Sequence, residues 1–135
     1  MLNKTSKVER ATKQTDDFGQ ANFLTLINVV SQYFEGLHHG DTEKLAKIFH
    51  PDAVLKTPGL RRPLNDWLTA IEERPKPAQQ GTGFHYRLLA IEITGEQAMV
   101  KVACPLFEHH YVDYLGLLNE NGQWRIVNKM YADQV

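Results

Sequence analysis

Asp113 is the one carboxylate in this sequence that strand alternation drives toward an apolar face. In the run His109-His110-Tyr111-Val112-Asp113-Tyr114-Leu115-Gly116-Leu117, every second side chain shares a face, so Asp113 stands with His109, Tyr111, Leu115 and Leu117. A carboxylate on such a face loses hydration, which raises its pKa unless donors compensate, and a raised carboxylate suits a general base near neutral pH. Three roles stay open for it. It can be a structural acceptor for Asn128, Tyr111 or a backbone amide, a ligand anchor, or a base that moves a proton beside a carbonyl while Tyr111 or His85 stabilises the oxyanion. His85 and Arg87 alternate with Leu89, Ile91 and Ile93, which places both at one end of the same face and Arg87 where it would hold an anionic ligand group. Metal chemistry is not predicted. His38-His39 and His109-His110 are adjacent pairs whose side chains diverge, His50 stands at a helix end, and no pair has the i, i+4 spacing of a helical metal site. Cys104 alternates with Val100 and Val102 and reads as an inert buried thiol, since no base is placed beside it.

The elements that must position these groups follow from periodicity. Phe23, Leu26, Ile27, Val30, Phe34 and Leu37 recur at steps of three and four, the stripe of a helix that stops at Gly40. Asp41 then caps a shorter helix carrying Leu45, Ile48 and Phe49, which ends at His50-Pro51. A short strand, Ala53 to Thr57, precedes a third helix that starts near Pro63, buries Leu64, Trp67, Leu68 and Ile71, and ends at Pro75 and Pro77. The period then changes to two. Four strand-like runs, 84–94, 98–107, 110–118 and 123–133, form an antiparallel meander, with Asn121-Gly122 as a hairpin turn. Alternation in the last run puts Trp124, Ile126, Asn128, Met130 and Ala132 on the face of Asp113, and pairs Asp113 with Asn128. Tyr33, Trp67, Arg87, His109, Trp124, Asn128 and Met130 are therefore the expected ligand-binding residues. The opposite face carries Val112, Tyr114, Leu118, Val127 and Tyr131 beside His110, Arg125 and Lys129, an apolar patch suited to a partner. Helices gathered before a continuous sheet give an α+β domain with the helices on one face.

Composition narrows the classes. The 135 residues suffice for one core, 42% of them are hydrophobic, and 15 basic against 16 acidic residues leave a net charge of −1. That balance offers no footprint for a nucleic-acid backbone. The single cysteine excludes an intrachain disulfide and a cysteine-built zinc site. Residues 1–21 lack a consistent helical stripe and read as a flexible arm, with Lys7 to Thr15 as a candidate short helix, before a single domain over 22–135, and with no signal-peptide core or membrane-spanning run, a cytoplasmic protein is expected.

Tyr33-Phe34-Glu35-Gly36, then Gly40-Asp41-Thr42-Glu43-Lys44-Leu45 and Phe49-His50-Pro51-Asp52-Ala53, resemble the start of the SnoaL-like and lumazine-binding-like branches of the NTF2-like superfamily. Val112-Asp113-Tyr114-Leu115 with Gly122-Gln123-Trp124-Arg125-Ile126-Val127-Asn128-Lys129 is similar to the end of the lumazine-binding-like branch. The resemblance covers about residues 23–133. It implies a cone in which three N-terminal helices pack in the concave face of a curved, mainly antiparallel sheet, and a homodimer through the outer sheet face. It implies no cofactor and does not choose an activity, since the superfamily holds isomerases, dehydratases, polyketide cyclases, transport adaptors and noncatalytic binding domains. The leading expectation is a domain with an apolar pocket for a small apolar or aromatic ligand. A cofactor-independent isomerase, dehydratase or cyclase using Asp113 is the alternative, and a protein-interaction adaptor is the third.

Overall fold

The computed structural model describes the backbone of residues 4–134 and the side chains of residues 19–134. Helix α1 (Lys4–His39) is followed by α2 (Thr42–Ile48), strands β1 (Phe49–Thr57) and β2 (Leu60–Pro63), and α3 (Leu64–Glu73). A single 3-10 turn, Pro77–Gln80, leads to β3 (Arg87–Thr94), β4 (Gln97–Leu106), β5 (His109–Glu120) and β6 (Gln123–Asp133). The six strands make one curved sheet in the order β2-β1-β6-β5-β4-β3, antiparallel except where β1 runs parallel to β6. The α+β cone is as expected.

Local chemistry explains the helix ends. Gly40 takes a left-handed φ of 60°, which terminates α1, and the Asp41 side chain accepts the Lys44 backbone N–H at 3.0 Å to cap α2. Gly36 lets the two helices touch. A Cβ added there would lie 2.6 Å from the Leu45 side chain, so a larger residue would push α2 off α1. Along α1, Leu26, Val30, Tyr33 and Leu37 are buried against the sheet's inner residues Val100, Val102, Leu115 and Ile126. Asn22 Oδ1 accepts the Trp124 indole N–H at 3.0 Å, which ties α1 to β6. The helix starts at Lys4, well before Phe23. The flexible arm expected over residues 1–21 thus falls partly outside the described residues, and from Lys4 onward its backbone forms the first turns of α1.

Two β-bulges decide which side chains face inward. Between β5 and β6 the register passes from Leu117↔Ile126 to Gly116↔Asn128, leaving Val127 as an extra residue on β6. Every later position on that strand is flipped. Lys129, paired with Leu115, and Tyr131, paired with Asp113, turn inward, while Asn128 and Met130 turn outward opposite Gly116 and Tyr114. Asn128 and Met130 therefore do not join Asp113 on the inner face, and Met130 is 43% exposed. Lys129 and Tyr131 do not lie on the outer patch where unbroken alternation put them. On β3 the register skips Leu89, between Leu88↔Val102 and Ala90↔Lys101. Tyr86 and Leu88 thereby replace His85 and Arg87 on the inner face, and His85 and Arg87 are both exposed.

Candidate functional site

The inner face closes over a core at one end and opens into a cleft at the other. The cleft holds about 280 Å³ and is lined by Leu37, Arg62, Trp67, Arg74, Cys104, Leu106, Phe107, Tyr111, Asp113, Lys129 and Tyr131. Each comes from an element the sequence dictates. Arg62 stands on β2, beyond the Pro58-Gly59 turn, and Trp67 is on the buried stripe of α3 with Leu64 and Ile71. Arg74 is the C-cap of α3, where Pro75 forbids another helical turn. Asp113 and Tyr111 lie one over the other on β5, and the Val127 bulge turns Lys129 and Tyr131 toward them.

Asp113 is 2% exposed and Lys129 6% exposed. Tyr33 donates its hydroxyl hydrogen to Asp113 Oδ2 at 2.6 Å, and Lys129 Nζ approaches the same oxygen at 3.8 Å. The ammonium also sits 4.3 Å from the Trp67 ring centroid and 5.3 Å from that of Tyr131. A buried charge is tolerated when it is paired and faced by polarisable rings, and Lys129 has both. Burial lowers its pKa from the usual lysine range, against the opposing pull of Asp113. Burial, reinforced by the Asp113 charge, raises the Tyr33 phenol well above its ordinary value. The same two causes raise the Cys104 thiol, which keeps it protonated and unreactive.

The rim is cationic. Arg74 lies with its guanidinium carbon 5.0 Å from the centroid of the Phe107 ring, and burial lowers its pKa against the opposing pull of Tyr33, Tyr111 and Tyr86, with a small further push from Arg62. Phe107 and Glu108 form the two-residue turn between β4 and β5, and both have positive φ, 53° and 65°. A phenylalanine in that region is strained backbone held where it can place an aromatic ring under an arginine.

Of the residues read from sequence, Asp113, Tyr111 and Trp67 line the cleft, and Tyr33 joins it from below through its hydrogen bond. His109 is exposed at the edge, bonded to Asp133 at 2.6 Å. Trp124 is buried elsewhere, on Asn22. His85, Arg87, Asn128 and Met130 are not in the cleft. Arg62, Arg74, Phe107, Lys129 and Tyr131 are, and alternation alone does not find them. The cleft is consequently charged where an apolar pocket was expected. Among the described residues no group of three or more His, Cys, Asp or Glu side chains could hold a metal ion. No described helix is long and apolar enough to cross a membrane.

Comparison with known proteins agrees with this architecture. Solved structures similar to the chain include an NTF2-like protein of unknown function from Silicibacter pomeroyi, 22% identical over 86% of this chain and 98% of that one, with a TM-score of 0.70. An NTF2-like protein of unknown function from Shewanella baltica is 19% identical over 85% and 95%, with a TM-score of 0.72. A third, from Methylobacillus flagellatus, is 21% identical over 85% and 94%, with a TM-score of 0.67. At these identities the likeness bears on the fold alone. No curated protein matches the sequence. The profile of one family, described as "Putative lumazine-binding", matches residues 21–132, and the chain belongs to that family.

Proposed function

We propose that the chain is a small-molecule-binding domain whose ligand lies flat in the cleft between Trp67, Tyr111 and Tyr131, above the Asp113–Lys129 pair. The carrying observation is the opening itself. The fold closes completely around Val102, Leu115 and Ile126, yet leaves about 280 Å³ beside a buried ion pair, near the lower end of the ~300–1,000 Å³ usual for ligand pockets. Such a volume suits a one- or two-ring aromatic molecule. Filling the space tests the reading: Leu106→Trp should leave the far-UV spectrum intact and abolish the ligand-detected NMR signals given by a set of one- and two-ring aromatics. Binding that persists unchanged in that variant would place the ligand elsewhere.

A catalytic variant of this reading is supported by the lining of the cleft, which brings the Asp113 carboxylate and the Tyr111 phenol together from one strand. There Asp113 would act as base, with Tyr111 as the neighbouring hydroxyl to stabilise an oxyanion. For the assembled form we propose a homodimer through the outer sheet face, supported by Met99, Tyr114 and Met130, which are exposed on that face beside Val112.

A further inference from the structure

Resting on the proposed ligand cleft, we infer that its ligand is an acid: an aromatic molecule whose carboxylate or phosphate is held between Arg62 and Arg74. Charge counting inside the cleft leads there. Arg62, Arg74 and Lys129 face it with three positive charges, and Asp113 answers with one. Among the described residues Lys129–Asp113 is the single ion pair in the cleft, so the lone carboxylate is already engaged by the lysine and by Tyr33. Among the described residues the two arginines have no protein counter-ion within ion-pair distance in this partly enclosed space, although the whole chain carries a net charge of −1. Cations gathered against each other in a low-dielectric recess raise the energy of the empty protein, and an anion that enters relieves it.

Geometry supports the same assignment. Arg74 is held over the Phe107 ring, its guanidinium carbon 5.0 Å from the ring centroid, and its N–H groups can form paired bonds with two oxygens of one acid group. That contact is built from a strained turn at Phe107 and Glu108. Surface arginines do not need such a support. The aromatic walls Trp67, Tyr111 and Tyr131 then take the body of the ligand, and a simple inorganic ion would leave them unused. Burial is the main cause that lowers the pKa of Arg74, in keeping with a guanidinium drawn into the recess.

Matched probes test this inference apart from the reading on which it rests. Benzoate, phenyl phosphate, neutral benzamide and inorganic phosphate are titrated against the intact protein, with Trp67 fluorescence and backbone NMR shifts as readouts. The inference expects at least one aromatic acid to bind tenfold or more tightly than benzamide. It expects the preference for the acid over benzamide to weaken with added salt and to vanish in Arg62→Gln and Arg74→Gln. A tighter benzoate points to a carboxylate and a tighter phenyl phosphate to a phosphate. Equal binding of acids and amide overturns the inference and leaves the cleft reading intact, while shifts away from the cleft for every probe overturn both. Thermal denaturation supplies a readout that needs no ligand. Unpaired cations predict that Arg74→Gln keeps or raises the thermal midpoint, and a fall of ten degrees would show Arg74 to be structural and overturn the assignment.

Discussion

Asp113 and Lys129 are each stabilised by the other, and this fixes what a substitution at either must do. Removing one member of a buried pair strands its partner, at a cost of about 3–5 kcal/mol. Asp113→Asn should therefore lower the urea unfolding free energy by that order, and Lys129→Met added to it should recover most of the loss. Equal or additive losses in a double-mutant cycle would show the two to be uncoupled. If the catalytic variant holds, Asp113→Asn in its stabilised background should also lose turnover by about 10²- to 10⁴-fold while retaining ligand. Tyr33 carries a pH dependence. Its folded pKa is raised above the ordinary 10.0 by burial and by Asp113, so its contribution is complete below pH 10 and is lost above it, as the unfolded chain ionises first. The limiting loss is about 1.4 kcal/mol per pH unit. Lys129, with its pKa lowered, acts in the opposite direction only below its unfolded value of 10.5. The stability gap between wild type and Tyr33→Phe should hence narrow above pH 10 in urea titrations, and a constant gap would contradict the raised pKa.

The strand bulges are the elements that make the cleft. Val127 can be deleted from β6 without turning Lys129 or Tyr131 outward, since the positions on either side of the bulge already alternate correctly around it. A protein lacking Val127 should fold and keep the Lys129 amine protected from acylation, with β6 flatter. A single serine inserted after Val127 should instead expose Lys129 and Tyr131, bury Met130, and abolish cooperative unfolding. Helix stripes, caps and the Asn121-Gly122 turn were legible in the sequence because each is a local preference of a few residues. Asp113, Tyr111 and Trp67 were legible for the same reason. Lys129 was not, because one extra residue reverses every face beyond it. Gly116, a glycine inside β5 directly beside the shifted register, was the available sign of the bulge on its partner strand. No glycine accompanies Leu89 on β3, and there the sequence offered nothing. Arg62 and Arg74 escaped for another reason: they lie on a two-residue-turn hairpin and at a helix cap, positions whose direction only tertiary packing sets.

For the whole molecule, the ligand cleft and the exposed apolar side chains lie on opposite sides of one sheet. The inner side gathers the cations of the cleft, and the outer side shows Met99, Tyr114 and Met130. A dimer through the outer side would leave both clefts open to solvent. Sedimentation at micromolar concentration should give twice the 15.5 kDa chain mass, and Tyr114→Glu should shift the protein toward monomer with its clefts and ligand affinity unchanged. A concentration-independent monomer in the wild type would remove the dimer.

The turn at Phe107 and Glu108 sets the direction in which selection for heat resistance would pull this protein. Asn-Gly in the same place would adopt both positive φ angles without strain, and the double change Phe107→Asn, Glu108→Gly should gain about 1–2 kcal/mol in chemical denaturation. A screen that rewards survival alone should thus find this exchange early, and in doing so should remove the ring on which Arg74 rests. The hardier descendants would be the poorer binders. Ancestry and laboratory evolution would then record the same trade, with the phenylalanine persisting only where occupancy of the cleft is itself rewarded.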